Sequence, residues 1–281
     1  MTKEAKKEMS FLDHLEILRW HLVRSSLAII LFGTVAFLFK NIIFDKILLA
    51  PTKLDFFTYQ LLCTISKSFS TDGMCIESLP FTLQSLGMAE QFSIHIWVSV
   101  TAGIIVAFPY IIWEVWLFIN PGLYKHERKY AFGFILISSL LFFLGVLFGY
   151  YVITPLSINF LGNYSISDIV NKNFKIGSYI SIIKSSVLAA GFMFELPVII
   201  YFLAKMGLVT PQFLKTYRKH AIVLVLILAA LITPPDVISQ IIVSIPIVFL
   251  YEVSILIATI VTKRQEKELK SRSKKPVKNQ P

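Results

Sequence analysis

The chain has 281 residues, of which 56% are hydrophobic and 16% charged, with a mean hydropathy of +0.70. These values exclude an ordinary soluble domain, whose apolar share is nearer ~45–50%. The net charge of +10 would suit nucleic acid, but Lys and Arg gather at the ends of apolar runs and after residue 262; this is the distribution of a polytopic membrane protein, and nucleic acid is not an expected partner.

Residues 1–10 mix Lys with Glu and hold no apolar stretch or cleavage site, so they do not read as a signal peptide. Ser10-Phe-Leu-Asp13 is a capping box that opens a helix at Phe11. This helix carries Asp13, His14, Glu16, Arg19, His21 and Arg24, and its part up to residue 21 is expected to lie at the membrane interface before a first span over Leu22–Phe39. The 40–89 loop contains the only two cysteines, Cys63 and Cys75. If it faces an oxidising compartment, a disulfide closing this short loop is expected, with two free thiols as the alternative.

The second span is Phe92–Ile119, whose only acid or histidine groups are His95 and Glu114, and the third is Ala131–Ile153, which carries no charge. The fourth runs over Ile176–Ala204 and the sixth over Val237–Val261. Between them, Ala221–Ile232 gives only about 18 Å of helix before Thr233-Pro-Pro-Asp236 stops it. Either flanking residues lengthen this fifth span, or the bilayer thins around it, or it is re-entrant. Pro109, Pro197 and Pro246 interrupt the second, fourth and sixth spans and should bend them into a curved wall. The pattern is that of an all-α membrane protein of six kinked transmembrane helices with two short C-terminal spans: a membrane domain over 22–261, then a basic tail over 262–281 expected to be disordered.

Topology follows from Lys and Arg density. The 118–130 loop has three, the 205–219 loop four and the 263–281 tail eight, against four in the 50-residue 40–89 loop, two in 154–175 and none in 233–236. Both termini are therefore expected in the cytoplasm. The 118–130 hairpin then lies at the cytoplasmic surface, with Glu127 as an acid among Lys125, Arg128 and Lys129.

Glu195 sits deep in the fourth span, where a carboxylate has to face the bundle interior or water, or be protonated. Lys184, 11 residues away, is roughly 16 Å along the axis and is no partner within that helix. Glu114 and Glu252 lie nearer span ends, where an interfacial acid and a functional one are equally consistent readings. No metal-ligating Cys/His set, phosphate-cradling glycine loop or nucleophile constellation occurs, which argues against an ATPase or hydrolase and implies no cofactor.

Five motifs occur in order: His14-Leu-Glu-Ile-Leu-Arg19, Leu49-Ala-Pro51, Phe118-Ile-Asn-Pro-Gly-Leu-Tyr-Lys-His-Glu-Arg128, Phe194-Glu-Leu-Pro197 and Thr233-Pro-Pro-Asp-Val-Ile-Ser-Gln240. With six spans, they make the chain resemble the TatC family of twin-arginine protein translocase subunits from Ser10 to about Thr262. The resemblance implies a glove-shaped receptor in the cytoplasmic (inner) membrane that recognises the twin-arginine signal peptides of folded proteins. It further implies assembly with TatA- and TatB-like single-span proteins and with other copies of itself, and use of the proton motive force.

By the same resemblance, Glu127 and Phe118 occupy the acid and aromatic positions of the second signal-binding element, flanked by Tyr124 and His126. Glu16 and Arg19 belong to the first element. Glu195 matches an intramembrane glutamate on the concave side, facing a partner helix or the signal peptide. Pro51, Pro234, Asp236 and Gln240 fall in motifs of the extracytoplasmic cap and turns. The chemistry suits paired guanidiniums, which bind carboxylates through charge-assisted, often bidentate, hydrogen bonds.

One position departs from the family pattern. The first element usually reads His-Leu-Glu-Glu-Leu-Arg, and the acid tied to signal binding is the one before Leu-Arg; here it is Ile17. Glu16 is one residue away, about 100° around a helix. Either Glu16 turns to serve, or Glu127 carries most of the charge recognition, or the signal partner has a weaker consensus. Trp20 likewise replaces a common basic residue. Two readings from other classes remain for comparison. A proton-coupled transporter of a small solute would use Glu195 and Glu114 as a relay, but the sequence contexts of the prolines do not repeat as that architecture requires. A scaffold without cargo recognition would leave Phe118 and Glu127 without a role.

Overall fold

A computed structural model describes residues 11–68, 75, 81–119, 131–167, 169, 172–233 and 237–273. In chain order it has α1 (Phe11–Leu38), a π-helical turn (Ile42–Leu48), a 3-10 turn (Ala50–Thr52), α2 (Phe57–Ser68), β1 (Thr82–Gln84), α3 (Glu90–Ile119) and α4 (Ala131–Phe148). A second π-helical turn (Gly149–Ile153), α5 (Thr154–Asn163), β2 (Asn173–Lys175), α6 (Ile176–Phe194), α7 (Leu196–Lys205), α8 (Pro211–Thr216), α9 (Arg218–Ile232) and α10 (Val237–Ser273) follow. The chain divides into two compact units, Met1–Ala50 with Ser85–Phe143 and Pro51–Gln84 with Leu144–Pro281.

The first unit is built on the antiparallel seam between α1 and α3. Near one end, the His95 ring stacks on Phe37 at 3.8 Å and its Nε2 donates to the Phe37 carbonyl at 3.1 Å. One turn further, small residues let the backbones meet. A Cβ on Gly103 would stand 2.5 Å from the Ile29 oxygen, and one on Gly33 would stand 3.2 Å from the Ser99 oxygen. This small-residue contact is how helices associate where lipid removes the hydrophobic drive. Phe108 stacks on Phe142 of α4 at 3.5 Å, and Trp116 on Phe134 at 5.0 Å. Leu27, Ile30 and Leu31 stay exposed on α1, as a lipid-facing surface requires.

In the second unit the predicted third span runs ten residues beyond Ile153. The π-helical turn leads directly into α5, and Pro155 falls in the first turn of that helix. A first-turn proline loses no helical hydrogen bond, and the Gly149 carbonyl accepts both the Thr154 backbone N–H and, at 2.9 Å, the Thr154 Oγ1 hydroxyl. Gly145 and Gly149 repeat the close approach against α6: their Cβ atoms would stand 2.5 Å from the Ala190 oxygen and 2.6 Å from the Ser186 oxygen. The core is closed by Ile153, Ala190, Val225, Ala229, Val243 and Ile247.

The predicted fourth span divides at Glu195 into α6 and α7. Among the described residues, five helices are long and apolar enough to cross a membrane. The expected fifth span corresponds to α9, which has 15 residues, about 22 Å against a hydrocarbon core of about 30 Å. It is held by Gln240 Nε2 of α10, which donates to the Leu226 carbonyl at 3.1 Å, and by the ion pair of Arg218 with Glu252.

α10 continues to Ser273, past residue 262, where the sequence reading begins a disordered tail; residues 274–281 lie outside the described residues. Strong helix formers occupy 263–270 without Gly or Pro. Gln265 Nε2 donates to the Lys205 carbonyl at the end of α7 at 2.8 Å, which ties the extension down.

The long loop after α1 is more structured than its composition suggests. Tyr59 of α2 donates its hydroxyl to the Pro51 carbonyl at 2.9 Å, Phe56 stacks on Tyr151 at 5.6 Å, and β1 pairs in parallel with β2. Cys63 and Cys75 are joined by a disulfide. For a loop of this size the bond constrains the unfolded chain by about 2–3 kcal/mol. Cys63→Ser is therefore expected to lower the denaturation midpoint by the same amount as reductant lowers it for the unsubstituted chain; no response to reductant would remove this contribution.

Candidate functional site

On α3, Tyr110, Glu114 and Phe118 follow one another at a spacing of four, so they form a stripe along one face. That stripe meets α1. Glu114 is 3% exposed and receives two hydrogen bonds: His21 Nδ1 at 2.5 Å on Oε2 and the Tyr110 hydroxyl at 2.6 Å on Oε1. The His21 and Phe118 rings meet in a T-shaped contact, with centroids 6.1 Å apart. A buried carboxylate is tolerated because both oxygens are satisfied, and the same two donors fix the ring that abuts Phe118.

The contacts along the seam step in opposite directions on the two helices, from Phe37 with His95, through Ile29 with Gly103, to His21 with Glu114. One further turn brings Ile17 opposite the last turn of α3, where Phe118 sits. Ile17 is half-buried, whereas Glu16 and Arg19 are exposed. The face of α1 turned to Phe118 thus carries Ile17 and His21, and Glu16 lies on another face. Glu127, Tyr124 and His126 lie outside the described residues.

The partners of Glu114 were not read from the sequence, which left this acid undecided. A signal was available in the spacing of Tyr110, Glu114 and Phe118, but nothing local indicates which α1 residue faces them. Glu252, the other undecided acid, pairs with Arg218.

In the second unit Glu195 is 6% exposed and occupies the junction between α6 and α7. Its carbonyl accepts from Val198 N at 2.9 Å and Ile199 N at 3.0 Å, and the residue caps both the end of α6 and the start of α7, with no side-chain cap hydrogen bond. The C-terminal end of α6 and the N-terminal end of α7 meet at this residue, so the two helix dipoles act on it in opposite senses. Pro51 is buried under Tyr59 and Gln240 bridges to α9; Pro234 and Asp236 lie outside the described residues. Among the described residues no group of acids, histidines and cysteines could hold a metal ion.

The profile of the family described as Sec-independent protein translocase protein (TatC) matches residues 13–246. The chain is 43% identical over 265 residues to the Sec-independent protein translocase protein TatC of Blattabacterium sp. subsp. Periplaneta americana, covering 94% of this chain and 100% of that protein. It is 46% identical over 180 residues to TatC of Helicobacter pylori strain J99, covering 64% of this chain and 72% of that one. A crystal structure of the twin arginine translocase receptor TatC in DDM is similar with a TM-score of 0.68 and 34% identity, over 87% of this chain and 99% of that one. Two features of this chain sit within that common frame, the acid buried at the α1–α3 seam and the carboxylate at the break between α6 and α7; the chain is a multi-pass membrane protein of the TatC family, a component of a Sec-independent protein translocase.

Proposed function

We propose that this chain is the receptor subunit of a twin-arginine translocase, binding the signal peptides of folded proteins at the end of the first unit where α1 meets the last turn of α3, with Glu127 of the following segment. The observation that carries this reading is the placement of Phe118: an aromatic ring at the last turn of a span, steadied by His21 over the buried Glu114, nine residues before Glu127 in the sequence. Two adjacent guanidiniums require carboxylates at a membrane surface. A phenyl face beside them accommodates either an apolar side chain of the peptide or a guanidinium plane.

The density of Lys and Arg supports placing this end, and both termini, in the cytoplasm, with the chain in the cytoplasmic membrane. Residues 11–21 then form the interfacial start of α1, residues 22–261 the membrane domain, and the basic residues beyond it a cytoplasmic extension. TatA- and TatB-like single-span proteins and further copies of the chain are its partners, and the proton motive force drives transport. Cargo recognition and transport are assigned to different units, with Glu195 serving the second.

Photocrosslinking of a twin-arginine peptide, against a twin-lysine control, tests the reading. Glu127→Ala is expected to abolish crosslinking at Phe118, while Glu16→Gln, on another face of α1, leaves it unchanged. The reverse pattern would move recognition to Glu16, and loss in neither would end this assignment. A second expectation concerns the apolar position opposite Phe118. Ile17→Glu adds a carboxylate on the face of His21, so peptide affinity should rise about fivefold, as one exposed ion pair provides. A peptide titration with unchanged affinity would show that this face does not contact the guanidiniums.

A further inference from the structure

The second unit contains an apolar cavity of about 350 Å³, within the range of about 300–1,000 Å³ of ligand sites. The short parallel sheet forms its roof. Leu83 pairs with Phe174, and the Phe174 ring lies 5.7 Å from that of Phe81. Ile158 of α5 and Tyr179 and Ile182 of α6 form the floor. Gly162 opens the space between them: a Cβ there would stand 2.8 Å from Phe81 Cδ1, so the ring rests on bare backbone.

The location of the cavity specifies its surroundings. α5 ends a candidate span at Asn163 and α6 begins the next at Ile176, so these two ends share one membrane surface. Ile158 lies five residues inside the first end and Ile182 six inside the second, a depth of about 8–9 Å. The cavity therefore runs from the interface into the hydrocarbon layer.

Among the described residues its lining includes one charged side chain, Lys172, and no acid. Lys172 is half-buried, and its Nζ donates to the Asn163 carbonyl at 2.9 Å. That bond uses one of three ammonium protons and holds the cation at the mouth, between the ends of the two spans. Exposed Tyr164 and Ile166 flank it. A polar solute would find almost nothing inside to fix its orientation. An amphiphile with an anionic head and a hydrocarbon tail matches both parts, because a lysine at the level of the headgroups attracts anionic lipid.

We propose that this cavity is a lipid site that takes one acyl chain of an anionic phospholipid, with Lys172 Nζ holding the phosphate. The assignment is independent of the twin-arginine reading. The site is tested with the full-length chain in bilayer nanodiscs containing traces of phosphatidylglycerol or phosphatidylcholine, each with a photoreactive diazirine in the acyl chain. Adducts are then mapped by mass spectrometry. Phosphatidylglycerol is expected to label residues 158–182 about fivefold more than phosphatidylcholine, the preference one lysine gives near the surface. Lys172→Gln should abolish that preference and Lys172→Arg keep it. Ile182→Trp should reduce labelling by both lipids by filling the floor, and Ser178→Trp at the exposed rim gives the same readout if the first variant does not accumulate. Equal labelling by the two lipids, or a preference that survives Lys172→Gln, would overturn the headgroup assignment. Labelling of 158–182 no greater than that of Leu27 on the exposed face of α1, and insensitive to either tryptophan, would overturn the site itself.

Discussion

Export of a folded twin-arginine reporter is expected to fall at least about tenfold in Glu195→Ala, the effect of losing one interaction worth about 1.4 kcal/mol, while crosslinking of the signal peptide near Phe118 stays unchanged. Glu195 is 6% exposed in a segment that otherwise suits lipid. A buried acid in such a place is costly, and one that persists marks function. The chain also breaks its helix there, at a residue that caps both α6 and α7. Pro197 preserves this break in the variant, so alanine removes the polar group without rebuilding the backbone. Glu195→Gln separates the two contributions of the side chain. Export retained by Gln means that hydrogen bonding to a partner suffices; export lost in both variants means that the ionisable group is needed. Peptide crosslinking that fell in parallel with export would show that recognition and transport are not divided between the units.

The sequence made the spans legible wherever hydropathy alone decides them. Phe92–Ile119 lies within α3, and Ile176 begins α6 as expected. It misled where a local stop signal was outweighed by its neighbours. The third span reads as ending at Ile153, yet the π-helical turn carries the helix past Pro155 to Asn163. The basic segment after residue 262 reads as a solvated tail, yet its propensity and the bond from Gln265 to Lys205 keep it helical. The candidate site was legible as residue types, since an aromatic and an acid among cations in a hairpin need only the chain order. Its support was not legible, because the pairing of His21 with Glu114 spans 93 positions and depends on the register of α1 against α3. That register is set by Gly33, Ser99 and Gly103, whose spacing of four between Ser99 and Gly103 is visible but whose partner is not.

Gly103→Leu is therefore expected to have the largest structural effect of any single change in the first unit. A Cβ at this position meets the Ile29 oxygen at 2.5 Å and the Gly33 nitrogen at 2.8 Å. Both are backbone atoms that cannot rotate away, so overpacking here costs at least the usual ~1–3 kcal/mol. Relief requires α1 to move off α3. That movement takes His21 from Glu114, leaves a buried carboxylate short of a donor, and removes the ring that steadies Phe118. The variant should accumulate poorly, lose its melting transition in detergent, and bind no twin-arginine peptide, whereas Gly103→Ala should be intermediate. Gly133 of α4 serves as the control, because a Cβ there meets nothing within 4 Å and Gly133→Leu should be tolerated. A Gly103→Leu chain that melts normally and still crosslinks peptide at Phe118 would show that close approach of α1 and α3 is not what assembles the site.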